Sequence, residues 1–187
     1  MKRIYVLPRH AIDGLFEKPT YVGNLFDLSK VAIISIYSYE AGALVTEEFS
    51  RQLKSKGCSD TLSLLFGDIT EREAIDSKNE KIQSTLFSVE QARQIIEFLD
   101  KIKDKKEKDL IVHCDAGVSR SGAVGLFANR YFDLDENEFV KQNPNILPNS
   151  YVYYTLYNES GMRKSYEEFW TTEEFLNSGS ITLENIF

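Results

Sequence analysis

The sequence predicts an α/β fold, with a central, mainly parallel sheet of about four to five strands flanked by helices. Short runs rich in β-branched and aromatic residues recur along the chain, and segments of helical periodicity lie between them. That alternation builds parallel sheets, because parallel neighbours need crossover connections. Length sets the scale: 187 residues suffice for one well-packed core. Residues 1–160 are expected to form one domain, and 161–187 a C-terminal extension.

Taken in order, "RIYVL" (3–7), "VAIISIY" (31–37), "TLSLLF" (61–66) and "DLIVHC" (109–114) read as strands. The continuous apolar character of the last three predicts cover on both faces. Between the second and third, "TEEFSRQLKSKG" (46–57) reads as a helix stopped by Gly57, carrying the chain across the sheet. Before the fourth, "SVEQARQIIEFLDKIK" places Val89, Ala92, Ile95, Ile96, Leu99 and Ile102 on one stripe, and Ser88 with Gln91 makes a capping box. "RSGAVGLFANRYF" (120–132) is mostly apolar and so reads as a buried helix held by packing, since Gly122 and Gly125 weaken it. "DENEFVKQN" (135–143) and the segment opening at Asn149, "NSYVYYTLYNES", predict two further helices. In the extension, Trp170 and nearby aromatics predict a docked helix, followed by an acidic, turn-rich tail.

Charge narrows the function classes. With 29 acidic against 22 basic residues the formal net charge is −7. This speaks against wrapping nucleic acid or lying on anionic lipid, so any bound anion must be captured locally. The basic run "DKIKDKKEKD" (100–109) is interleaved with acids and reads as a solvated helix end. No apolar stretch reaches the roughly 18 residues of a membrane span, and the opening "MKRIYVLPRHAIDG" lacks signal-peptide character, so a cytoplasmic location is expected. Cys58 and Cys114 are far apart and only two, a pattern of neither a disulfide scaffold nor a CxxC metal site. Cys58 reads as an inert residue at a turn, with a redox partner for Cys114 as the alternative. With only His10 and His113 available and no carboxylate cluster at ligand spacing, neither metal nor cofactor is expected.

The chemistry concentrates in "IVHCDAGVSRSG" (111–122). A strand ends at Cys114, a loop runs from Asp115 to Ser119, and a helix begins near Arg120. Strand, tight loop and helix N-terminus aim backbone N–H groups at one spot, and Gly117 relaxes the steric limits on such a loop. There Cys114 meets loop amides, a helix N-terminus and a cation, the surroundings in which a thiol ionises most readily. Arg120 presents a planar fork for two phosphoryl oxygens, while the N–H groups of Asp115, Ala116, Gly117, Val118 and Ser119 are placed to hold the rest. The spacing thus reads as a nucleophile plus an oxyanion clamp.

"HCDAGVSRSG" resembles the HCxxGxxR[ST] phosphate-binding loop of the cysteine-dependent protein phosphatases, the protein-tyrosine and dual-specificity superfamily. The resemblance implies a protein-tyrosine-phosphatase-like fold. It makes Cys114 the nucleophile, Arg120 the phosphate-binding arginine, Ser121 the hydroxyl that assists breakdown of a cysteinyl-phosphate, and His113 the support of the loop. Such families take a general acid from a separate loop, because the leaving oxygen must be protonated. "LLFGDITERE" offers Asp68 directly after the third strand, with Asp76 as its rival, since "ITEREAIDSKNEKIQSTLF" has the look of an insertion. "KQNPNILPNSYVYYTL" resembles the dual-specificity segment in which an asparagine, here Asn149, braces the phosphate loop. Roughly residues 20 to 158 share the resemblance.

The implied activity is hydrolysis of phosphate monoesters on phosphotyrosine and phosphoserine/threonine of proteins, without metal. A KNRY-like segment that would deepen the pocket for phosphotyrosine is missing from the sequence. Alternatives are a phosphate-binding adaptor without turnover, or a phosphatase of non-protein phosphates. Asp115 departs from expectation, because an acid in an anion loop works against dianion affinity. It separates this loop from the lysine-bearing versions in phosphoinositide phosphatases, and substrate preference is expected to be written there.

Overall fold

The computed structural model describes residues 1–17, 26–38, 42–76 and 80–162. Strands β1 (Ile4–Pro8), β2 (Val31–Tyr37), β3 (Asp60–Leu65) and β4 (Asp109–Cys114) form a four-stranded sheet in the order β1-β4-β2-β3. Every pairing is parallel, with Pro8 opposite Cys114, Ser35 opposite His113 and Tyr37 opposite Leu65. All four strands therefore finish at one end of the sheet. In an open parallel sheet this carboxyl end is where ligand sites form.

Helices cover both faces. On one side α5 (Val89–Ile102), α6 (Arg120–Tyr131) and α8 (Ser150–Glu159) pack on Ala32, Ile34, Ile36, Leu110, Val112 and Cys114. On the other, Ile12 of α1 (Arg9–Glu17) and Phe49 and Leu53 of α2 (Gly42–Ser55) pack on Val31, Ile33, Tyr37 and Ile111. Alternation along β4 follows, with Cys114 facing the first layer and Ile111 the second. The central strands match their apolar pattern, and all seven residues of β2 are buried. The third strand does not. It lies at the sheet edge and is only partly buried, so apolar character alone overstates its cover.

Local chemistry explains the remaining boundaries. The Ser88–Gln91 capping box forms in both directions, while Phe98 joins the buried stripe and Val89, in the first turn, stays 44% exposed. Helix α2 begins at Gly42, earlier than the sequence suggests, and ends in a Schellman motif. Gly57 adopts φ +97°, its N–H bonds Lys54 C=O, and the Cys58 N–H bonds Leu53 C=O. Short helices α3 (Glu71–Asp76) and α4 (Glu80–Gln83) occupy the stretch read as an insertion, and α7 (Glu136–Gln142) precedes the turn into α8. The helix expected around Trp170 and the tail lie outside the described residues.

Candidate active site

β4 ends at Cys114, the loop spans 115–119, and α6 starts at Arg120, as the sequence predicts. Three loop carbonyls are claimed from outside. Asp115 C=O accepts from the Arg9 N–H (3.2 Å), Val118 C=O from the Leu147 N–H (3.3 Å) and Ser119 C=O from the Asn149 N–H (3.2 Å). A planar trans peptide sets each following N–H opposite its carbonyl. The N–H groups of Ala116, Ser119 and Arg120 therefore point away from those donors. Gly117 takes φ +71°, and a Cβ there would sit 2.6 Å from the carbonyl carbon of Leu7. Only glycine lets the loop press against the end of β1. Cys114, 2% exposed, has its Sγ 3.0 Å from Ser121 Oγ.

Arg120 is 5% exposed, so its charge needs partners. Nη1 donates to Phe66 C=O (3.0 Å) and to Ser38 Oγ (3.2 Å), and Nη2 donates to Asp115 Oδ2 (2.7 Å). Nε is buried with no partner among the described residues. Three of five N–H groups are thus committed to protein, and Nε–H with one on Nη2 remain for an incoming group. Asp115 accepts on the same Oδ2 from Ser38 Oγ (2.6 Å), and its Oδ1 lies 3.5 Å from Arg9 Nη1. Burial raises the Asp115 carboxyl, but the Ser38 hydrogen bond and the Arg120 charge outweigh it and hold it below the ordinary range. This acid is the counter-ion of the arginine beside it.

Asp68 follows β3 and arrives at the same place. Its Oδ1 accepts from Ser119 Oγ (2.7 Å) and Asn149 Nδ2 (2.9 Å). Asp76, the rival, lies on α3 with its side chain 73% exposed, facing Arg72 at 3.9 Å. Asn149 is also the N-cap of α8, its Oδ1 accepting from the Val152 N–H at 3.1 Å. It braces the loop through its own backbone N–H.

His113 is fully buried, and neither ring nitrogen has a hydrogen-bond partner among the described residues. Its ring meets Tyr37 and Phe49 edge-on at centroid distances of 5.8 and 5.7 Å. Burial, aided by Arg9, pushes its pKa down to about 3, so the ring is neutral. Any support it gives the loop is packing. Cys58 lies in the core on the α2 face, whereas Cys114 lies in the other, and burial pushes the Cys58 thiol up to about 11. The two thiols are on opposite sides of the sheet.

Ser38, Arg9 and the Phe66 carbonyl are site groups that motif reading passed over. One signal finds them: each follows a strand, as Asp68 and Asp115 do, and parallel register brings those positions to the same end. Among the described residues no group of three or more His, Cys, Asp or Glu side chains is placed to hold a metal ion, and no helix is long and apolar enough to cross a membrane.

Comparison with curated proteins gives no match. The family model for the protein-tyrosine phosphatases matches residues 84–146, about a third of the chain, from before α5 to beyond α7. Ser38, Asp68 and Asn149 lie outside that stretch, and Cys114, Asp115, Arg120 and Ser121 within it. An all-parallel α/β sheet with a Cys-x5-Arg loop at its carboxyl end agrees with that match. Residues 84–146, which carry the Cys-x5-Arg loop, are thus similar to the protein-tyrosine phosphatases.

Proposed function

We propose that the protein hydrolyses phosphate monoesters on phosphorylated proteins, both phosphotyrosine and phosphoserine/threonine, through a cysteinyl-phosphate. One observation carries the reading: a thiol, the uncommitted N–H groups of a buried arginine and a carboxylate meet at one end of the sheet. In the first step the Cys114 thiolate attacks phosphorus. The S–P bond forms, the P–O bond breaks, and Asp68 gives its proton to the leaving oxygen. Arg120 and the loop N–H groups hold the equatorial oxygens as charge builds there. In the second, water attacks phosphorus and yields a proton to the Asp68 carboxylate. The P–S bond breaks, and Ser121 Oγ donates to the departing sulfur. Asp76 pairs with Arg72 on its own helix, whereas Asp68 is bonded to Ser119 at the end of the loop, which supports Asp68 in the acid role.

Turnover on phosphotyrosine, phosphoserine/threonine, inositol phosphate and RNA 5′-triphosphate substrates, with Cys114→Ser as blank, tests the reading. Phosphate release from both peptide classes, falling by more than about 10³-fold in Cys114→Ser, is the expected result. Tight phosphopeptide binding without release would instead make the protein an adaptor, and release from non-protein phosphates alone would reassign the substrate.

A further inference from the structure

We propose that Ser119 and Asn149 act as a matched pair of positioning residues, fixing the Asp68 carboxylate through Oδ1 so that Oδ2 alone carries the transferred proton. The inference rests on the reading of Asp68 as general acid. Each residue occupies a helix N-cap, and each departs from simple capping. Ser119 precedes α6 yet makes no side-chain cap bond, although serine is among the strongest capping residues. Its hydroxyl goes to Asp68 Oδ1 instead. Asn149 caps α8 with Oδ1 and donates one hydrogen of Nδ2 to the same Asp68 oxygen.

The two donors are also fixed relative to each other, because the Asn149 N–H bonds the Ser119 carbonyl. Asp68 itself is exposed. Without these donors its carboxylate would turn freely. A carboxylate oxygen has two lone pairs, and both on Oδ1 are occupied, so a proton must sit on Oδ2. Among the described residues Oδ2 has no partner. Restricting an exposed carboxyl to one oxygen and one direction is the positioning that makes proton transfer effective. It also explains why the N-cap hydroxyl of α6 is withheld from its own helix.

The test is the dependence of kcat/KM on leaving-group basicity, measured with the full chain on aryl phosphates from nitrophenyl to phenyl. Proton donation matters little for a nitrophenolate and greatly for a phenolate. Ser119→Ala and Asn149→Asp, which keeps the cap acceptor but removes the donor, should each cost about ten- to thirtyfold on phenyl phosphate and several-fold less on nitrophenyl phosphate. Ser119→Thr, which restores a hydroxyl, should recover the shallow dependence. In an Asp68→Asn background neither substitution should steepen it further. Equal losses across the series from Ser119→Ala and Asn149→Asp would overturn the positioning role while Asp68→Asn still steepens the dependence. An Asp68→Asn protein with unaltered dependence would overturn the acid assignment, and the proposal with it. Should Asn149→Asp lower the thermal midpoint, Ser119→Ala decides alone, since its hydroxyl caps nothing.

Discussion

Arg120 holds a full charge where solvent barely reaches, and a guanidinium in that position is tolerable only when its N–H groups are met. Asp115 supplies the charged partner at 2.7 Å, tied in turn to Ser38 and to Arg9. Its carboxylate is thereby spent on the arginine, which blunts its repulsion of a phosphoryl group. Asp115→Ala should therefore lower unfolding stability by about 1–3 kcal/mol, the range for hydrogen bonds to charged groups with one partner removed. It should also lower kcat by similar factors for every substrate class, because in the proposed mechanism Arg120 holds the phosphoryl group common to them all. Asp115→Asn, which keeps an acceptor, should fall between. Urea unfolding and the substrate panel together check this, and a changed substrate ranking with stability intact would return Asp115 to a specificity role. Cys114, Arg120, Ser121 and Asp68 were legible because each is marked by a motif or a strand end. Ser38 and Arg9 were not. Their partners stand 77 and 106 residues away, and only the parallel register joins them.

Edge strands leave a row of backbone groups to satisfy, and β1 solves this with a side chain. Asn143, buried at the end of α7, accepts from the Val6 N–H (2.7 Å) and donates to Ile4 C=O (3.0 Å), as a neighbouring strand would. It also bonds Phe139 C=O. Asn143→Ala should strand one buried donor and one buried acceptor on β1, at a cost of about 2–4 kcal/mol in urea unfolding. Amide exchange at Val6 should accelerate along with it, and an unchanged rate there would mean that another group covers the edge. Because the end of β1 also presses on Gly117, and Arg9, the next residue, donates its N–H to the Asp115 carbonyl, loosening the strand reaches the loop. Elements were read best where a long-range context was not needed. β2 and β4 match their apolar runs residue for residue, and α5 carries its own capping signal. α1 went unread because it is only nine residues long with an interior glycine, and it is the sheet that gives Ile12 something to cover.

Across the whole molecule, two buried groups on different faces of the sheet set the response to acid. Asp60, at the start of β3, is 3% exposed and bonded by Lys105 (2.7 Å) and Lys108 (2.8 Å), tying the chain after α5 to the sheet. Burial raises its carboxyl, but the two lysines outweigh it and hold the pKa at about 2, against an ordinary 3.8. Its contribution is complete above 3.8 and is lost as pH falls toward 2. His113 acts earlier. Its folded pKa of about 3 lies below the ordinary 6.5, so from 6.5 downward the unfolded chain takes up a proton that the native ring refuses. Unfolded protein then binds more protons than folded, and stability falls with pH at up to about 1.4 kcal/mol per unit. The loss should therefore begin near 6.5, well above the range in which carboxylates titrate. Since neither His113 nitrogen is hydrogen-bonded among the described residues, His113→Phe should keep the edge contacts to Tyr37 and Phe49 and change neutral-pH stability by less than about 1.5 kcal/mol. It should remove the decline between 6.5 and the carboxylate range while leaving the Asp60 limb in place. Asp60→Asn should do the reverse, starting less stable at neutral pH and losing less below 3.8. Urea midpoints across the acid range separate the two, and a His113→Phe protein that declines from 6.5 as steeply as the parent would assign the early loss to another group.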